Sequence, residues 1–145
     1  MTYFEVTRRF TFSSGHRLSK HLGKCKQLHG HNYTCEVTLR SKKLNQQGMV
    51  VDFGFIKQIF KKKVEEKFDH RLILKKGDSY NERLKESMAP NDSSICWVNY
   101  SPTAENMAQD ILSIFQHELA DFRRLKVVRV RLYETEDSFA EVFVE

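Results

Sequence analysis

The sequence predicts an α+β domain in which an antiparallel, four-stranded sheet carries two helices on one face, in the order ββααββ. Three observations carry this reading: two alternating segments open the chain, two segments of helical spacing fill its middle, and two more alternating segments close it. With 145 residues and 40% hydrophobic composition, the chain can bury one compact core, so residues 1–145 are read as a single domain.

Residues 3–12 place Phe4, Val6, Phe10 and Phe12 on one side, interrupted by Arg8, opposite Tyr3, Glu5, Thr7, Arg9 and Thr11. Residues 31–40 repeat the pattern, with Tyr33, Cys35, Val37 and Leu39 against Asn32, Thr34, Glu36 and Thr38. A turn-rich run, 42–48, leads through Met49, Val50 and Val51 to Asp52, a candidate N-cap. Apolar spacing then becomes helical at Phe53, Ile56, Phe60 and Val64, while Lys61, Lys62 and Lys63 form a solvated face suited to the negative end of the helix dipole. Residues 75–100 are polar and irregular, and only Ile95-Cys96-Trp97-Val98 reads as a short extra strand. Ser101-Pro102-Thr103 starts the second helix, with Ser or Thr as cap and Pro in its first turn. Its apolar stripe is Ala108, Ile111, Leu112, Phe115, Leu119 and Phe122. Val128, Val130 and Leu132 alternate with Arg129, Arg131 and Tyr133, and a turn at Glu136-Asp137-Ser138 returns the chain into a last strand through Phe143.

Six Gly and two Pro argue against collagen-like or low-complexity architecture, and the apolar runs are too short for a helix that crosses a bilayer. The first residues lack the basic segment and long apolar stretch of a secretion signal, and three Cys cannot all pair within one chain. The expectation is therefore reduced thiols in a cytoplasmic protein. The 24 Lys plus Arg exceed the 19 Asp plus Glu, giving a net charge of +5, and the excess is local. Between Glu5 and Glu36 there is no acidic residue, while Arg8, Arg9, Arg17, Lys20, Lys24 and Lys26 fall there with four of the six His. That distribution reads as a pocket for a small polyanion rather than a nucleic-acid surface.

The sharpest local pattern is Cys25-Lys26-Gln27-Leu28-His29-Gly30-His31. In extended backbone, residues two apart project to one side about 6.6 Å from each other. Two imidazoles so placed can converge on one metal ion, with Gly30 leaving space between them. His16, after the first strand, is the natural third ligand if the first two strands pair as a hairpin; His21, in a basic loop, is a weaker one. Three ligands and one open position describe a catalytic zinc site. Lys24 and Lys26 flank Cys25 and favour its thiolate, whereas Cys35 and Cys96 read as packing residues. Asp69 beside His70 can fix an imidazole tautomer for proton transfer. Glu134 shares the inward alternation of Val128, Val130 and Leu132, and a carboxylate there needs partners, which a ligand with adjacent N–H donors would supply.

Six motifs in this order give the chain a family resemblance: His16; Cys-x3-His-Gly-His at Cys25, His29 and His31; Gly-x-Val-x-Asp-Phe from Gly48 to Phe53; Asp69-His70; Pro-Thr-x-Glu-Asn from Pro102 to Asn106; and Glu134-Thr135. Together they resemble the 6-pyruvoyltetrahydropterin synthase superfamily, which includes the 6-carboxytetrahydropterin synthases of queuosine biosynthesis. The resemblance implies the tunnelling fold (T-fold), with protomers assembled through their sheets into a homohexamer, a dimer of trimers with active sites at subunit interfaces. It implies one zinc ion per subunit on His16, His29 and His31, Cys25 as thiolate general base, and Asp69 and His70 as a proton relay. Glu134 is implied to hold the pyrimidine edge of a pterin, with Thr103 and Glu105 beside the pocket and Thr135 assisting. The three-residue gap between Cys25 and His29 resembles the queuosine branch. The implied reaction is that of a zinc-dependent carbon–carbon lyase converting 7,8-dihydroneopterin triphosphate to 6-carboxy-5,6,7,8-tetrahydropterin, with release of acetaldehyde and triphosphate. Two departures stand out: Leu74 occupies a position where the family often has Asn, and residues 75–100 are long for the bacterial enzymes. The alternatives are formation of the 6-pyruvoyl product without loss of acetaldehyde and, from another class, a zinc-stabilised RNA-binding module.

Overall fold

In the computed structural model, which describes residues 1–145, alternation runs further along both opening strands than the sequence pattern marks. Strand β1 (Phe4–His16) pairs antiparallel with β2 (His29–Ser41) over its whole length, from Phe4 opposite Ser41 to His16 opposite His29. Even positions of β1 and odd positions of β2 face inward, so Phe12, Tyr33, Cys35, Val37 and Leu39 enter the core. Arg8, the apparent interruption, lies on this face at its rim and donates to the carbonyl of Phe53 at 2.9 Å. Strand β5 (Lys126–Thr135) pairs antiparallel with β2, and β6 (Ser138–Phe143) with β5.

The sheet has six strands rather than the expected four, in the spatial order β4-β3-β1-β2-β5-β6. The additional pair is β3 (Arg71–Lys75), parallel to the end of β1, and β4 (Ile95–Val98), parallel to β3. Ile73 and Leu74 are both fully buried, on opposite faces, and burial on both faces erases the alternation by which a strand announces itself. Parallel neighbours require a crossover, and residues 75–100 provide it. Near its centre is a short helix, Ser79–Glu86, whose N-cap Asp78 accepts from the N–H of Asn81 at 3.0 Å.

The first long helical stretch comprises α1 (Phe53–Ile59), a π-helical segment (Phe60–Glu65) and α2 (Glu66–Phe68), which makes the Ser79–Glu86 helix α3. Asp52 caps α1, accepting from the N–H of Gly54 at 2.6 Å. Ile56, Phe60, Val64 and Phe68 are all buried at four-residue spacing. On a helix of 3.6 residues per turn that spacing drifts off one face, and the wider π turns rotate it back. Phe10 stacks on Phe60 with centroids 4.1 Å apart. Helix α4 (Ala104–Glu118) is capped by the Thr103 hydroxyl, which accepts from the N–H of Asn106 at 3.1 Å. Pro102 precedes the cap and is not in the first turn. The stripe also ends sooner than expected, since α4 stops at Glu118 and Phe122 lies beyond it, packed edge-on against Phe55. One core of 25 buried residues joins both helical layers to the inward face of the sheet. Each fully buried Leu, Ile or Phe contributes about 1.5–3 kcal/mol. No helix is long and apolar enough to cross a membrane.

Candidate active site

The inward face of the sheet changes chemistry at one end. Along β2 the inward residues run Leu39, Val37, Cys35, Tyr33, His31, His29, and along β1 they run Phe10, Phe12, Ser14, His16. The ladder that buries apolar side chains in its middle therefore ends in three imidazoles on one face. A Cβ on Gly30 would come within 3.1 Å of the Ser14 carbonyl oxygen, so glycine between the two histidines lets the strand ends close up.

The nitrogen geometry decides what these rings can do. His16 donates through Nδ1 to the carbonyl of Pro102 at 2.7 Å, and His29 donates through Nδ1 to the carbonyl of Gln27 at 2.7 Å. A carbonyl only accepts, so both Nδ1 atoms carry the proton and both Nε2 atoms present lone pairs. Those Nε2 atoms are 3.1 Å apart, and His31 Nε2 is 3.2 Å from His16 Nε2. Converging lone pairs repel unless a cation sits among them. The three donor nitrogens lie within 4.8 Å of one another, a donor set that fits zinc bound by neutral imidazoles with orienting carbonyls behind them. Burial, reinforced by the neighbouring His29 and His31, lowers the pKa of His16 from 6.5 to about 4, against the pull of the Pro102 carbonyl. Burial likewise lowers His31, with Glu134 opposing. Both shifts favour the neutral ring, the form in which an imidazole can bind a metal.

Glu134 completes the cluster, with Oε2 2.8 Å from His31 Nε2 and 3.8 Å from His16 Nε2. It also lines a cavity of about 770 Å³ together with His31, Thr135, Arg9, Asn32 and Tyr133. Tyr33, which the sequence marks only as a packing residue, lies beneath the rings with its hydroxyl 3.3 Å from His16 Nδ1. Burial raises the Tyr33 phenol far above its ordinary range, and the charges of Glu134 and Cys25 add to this. Cys25 sits half-buried in a 3₁₀ turn (Lys24–Lys26), and all three cysteines are unpaired. Cys35 and Cys96 are buried among packing residues as expected.

Asp69 and His70 form the expected pair, Oδ2 to Nδ1 at 2.9 Å. His70 adopts φ 58, a left-handed conformation that is strained for a non-glycine residue and is fixed here by its N–H donating to the Ser13 carbonyl at 2.7 Å. Asp69 Oδ1 accepts from the N–H of Ser13 at 2.9 Å. The His70 ring opens onto a second cavity, walled by Ser13, Gly30, His31, Asn32 and Met88. Cys25 is on the wall of neither cavity, so one chain does not bring Cys25 and the Asp69–His70 pair into a common pocket. Thr103 is occupied as the α4 cap, and Glu105 is exposed on the first turn. Pro102, between the cap and His16, ties the start of α4 to the histidines.

Behind Pro102 lies a smaller cavity of about 250 Å³, lined by Ser19, Lys20, Lys75, Lys76 and Ser101. The sequence marks Lys20 within the basic loop but not Lys75 and Lys76, because only the parallel pairing of β3 with β1 brings them there. Buried Arg17 is held by Asp78 at 3.0 Å and lies over the Tyr80 ring at 4.2 Å, joining the crossover to this rim.

The family model for 6-pyruvoyl tetrahydropterin synthase matches residues 5–145. The chain belongs to the 6-pyruvoyl tetrahydropterin synthase family. Within it, the 6-carboxy-5,6,7,8-tetrahydropterin synthase of Rickettsia bellii is 40% identical over 138 residues, covering 95% of this chain and 99% of that one. The protein of that name from Haemophilus influenzae is 30% identical over 141 residues, covering 95% and 97%. Among solved structures, an uncharacterized protein from Wolinella succinogenes superposes with a TM-score of 0.86 at 27% identity, covering 100% of both chains. The 6-pyruvoyltetrahydropterin synthase of Plasmodium vivax superposes at 0.77 with 21% identity, covering 100% of this chain and 99% of that one, a likeness of fold.

Proposed function

We propose that the chain is a 6-carboxy-5,6,7,8-tetrahydropterin synthase of the queuosine pathway, acting on 7,8-dihydroneopterin triphosphate and releasing acetaldehyde and triphosphate. The observation that carries this reading is the convergence of three imidazole nitrogens beside Glu134 at the wall of a ligand-sized cavity. Full-length relatives of that name support the choice of product.

His16, His29 and His31 would hold zinc, which supplies Lewis acidity to the oxygens of the substrate side chain. With its Nε2 committed as a ligand, His31 has no proton to give Glu134. The Glu134 carboxylate is then free to accept two parallel N–H bonds from the pyrimidine edge of the pterin, with Thr135 beside it. Cys25, as thiolate, removes a proton from the substrate side chain, and His70, oriented by Asp69, relays it. Because Cys25 is not on the wall of the cavity onto which His70 opens, the relay is completed between protomers in this reading. In this reading, Thr103 and Glu105 border a pterin pocket from a neighbouring chain. Lys20, Lys75 and Lys76 offer cations to the triphosphate. The exposed Phe139 and Phe143 on the open edge strand β6 fit assembly of cytoplasmic homohexamers through the sheet.

Incubation of zinc-replete protein with 7,8-dihydroneopterin triphosphate, followed by mass spectrometry, tests the reading. The expected products are 6-carboxytetrahydropterin and acetaldehyde. A pyruvoyl product alone transfers the chain to the tetrahydrobiopterin reaction, and absence of turnover overturns the assignment.

A further inference from the structure

At the end of the sheet opposite the histidines, the β2 exit and the segment entering β5 bring Arg40, Lys42, Lys43, Arg123, Arg124 and Lys126 around one cavity of about 430 Å³. Strand β1 spans the separation between the two ends, thirteen residues or about 40 Å. Neither sequence segment is unusual alone, and it is the fold that gathers them. Arg40 is the only one of the six in an ion pair, with Glu5 at 2.6 Å, and Glu145 is the only acidic residue on the cavity wall.

The two central guanidiniums are fixed before any ligand arrives. Arg124 donates to the Ser41 hydroxyl at 3.2 Å and to the carbonyls of Lys43 at 2.9 Å and Val50 at 2.7 Å. Arg40 is held by Glu5 through two bonds and lies over the Tyr3 ring at 5.1 Å. On the outward face of β1, β2 and β5 beyond this hollow, each arginine has a carboxylate partner: Arg9 pairs with Glu36, while Arg129 and Arg131 share Glu141. Unpaired cations therefore do not continue from this hollow as a stripe along that face, which is the footprint of a compact anion and not of a nucleic-acid strand. The volume falls within the range of small-ligand sites.

We propose that this hollow is a second anion site, which takes the polyphosphate tail of a small molecule. Adjacent phosphoryl groups offer several negative charges and many acceptor oxygens in a short length, matching two preorganised guanidiniums with Arg123 and three lysine ammonium groups around them. The site stands apart from the proposed catalytic centre and is independent of the reaction assigned to it.

Calorimetric titration of the full-length, zinc-replete protein with inorganic tripolyphosphate, and separately with a nucleoside triphosphate, tests the proposal at two salt concentrations. Lys43→Glu/Lys126→Glu should abolish one binding site per protomer or weaken it by about tenfold or more, with melting temperature and turnover unchanged. The contact from Arg124 uses the Lys43 backbone carbonyl, so these substitutions leave the scaffold in place. Lys42→Gln/Arg123→Gln should weaken the same site without reversing charge. Binding of both probes identifies the phosphoryl chain itself as the ligand, whereas binding of only the nucleotide shows that the site also reads the nucleoside. Unchanged stoichiometry and affinity in both double variants overturns the proposal. So does a loss confined to binding of single-stranded RNA.

Discussion

A protonated Nδ1 on His16, fixed by the Pro102 carbonyl, leaves Nε2 with a lone pair aimed at two other imidazoles, and that small asymmetry fits the cluster to the cation proposed for it. Removing one ring should then remove the metal while leaving the fold. His29→Ala, half-buried at a strand end, is expected to lower zinc affinity by more than about 100-fold, read by metal content after dialysis against a competing chelator. Cys25→Ala is the complementary case. It should keep zinc and oligomeric state but lose turnover by about 10²–10⁴-fold, since only the proton acceptor is gone. The Asp69–His70 pair gives a pH dependence of definite sign. Burial pushes the Asp69 carboxyl up, but the N–H of Ser13 and the His70 ring outweigh it and hold the pKa below 3.8. A carboxyl whose folded value is depressed stabilises the protein fully above its unfolded pKa and loses that stabilisation as pH falls through the folded value. Asp69→Asn should therefore flatten the acid limb of the stability curve below about pH 4, in urea midpoints measured from pH 7 down to pH 3. The histidines and Glu134 were legible in the sequence because strand alternation fixes which face a residue takes. Lys75 and Lys76 were not, since nothing local records that a strand will pair beside β1.

The start of α4 shows how an element transmits to the site. Thr103 caps the helix while the preceding Pro102 carbonyl orients His16, so one turn serves both purposes. Thr103→Ala should cost about 1 kcal/mol in denaturant unfolding and also reduce zinc affinity several-fold. Asp52→Ala removes the corresponding cap from α1, far from the histidines. It should cost a similar amount with zinc affinity unchanged, and equal effects of both variants on zinc would refute the coupling through Pro102. Both caps could be read from the sequence, since a Ser, Thr or Asp before a run of helical spacing has a local physical meaning. The π-helical segment could not, because its four-residue repeat of Ile56, Phe60, Val64 and Phe68 also fits an ordinary α-helix. Strand β3 was hidden for a related reason: burial of Ile73 and Leu74 on opposite faces removes the period of two that would have marked it.

For the molecule as a whole, the sequence order of strands and helices located the antiparallel core, and the apolar patch Ile95–Val98 marked β4, but its parallel partner β3 was not legible, and the irregular residues 76–94 between them proved to be a crossover. That architecture separates stability from the proposed metal. The apolar core holds 25 buried residues, and His16, His29 and His31 form the polar continuation of the inward sheet face at its end. A bound ion then stabilises the folded state by mass action, not by creating the fold. At a free concentration a thousand times its dissociation constant, zinc would add about 4 kcal/mol, which for a chain of this size corresponds to roughly 10 °C in melting temperature. Chelation at pH 7 should lower the melting temperature by that order while the far-ultraviolet circular dichroism at 25 °C and the cooperativity of unfolding persist. Readdition of zinc should restore both the melting temperature and turnover. Collapse of secondary structure on chelation would show instead that the ion is structural, as in small domains that fold only when metal is bound, and would move the three histidines from the chemistry of the site to the architecture of the sheet end.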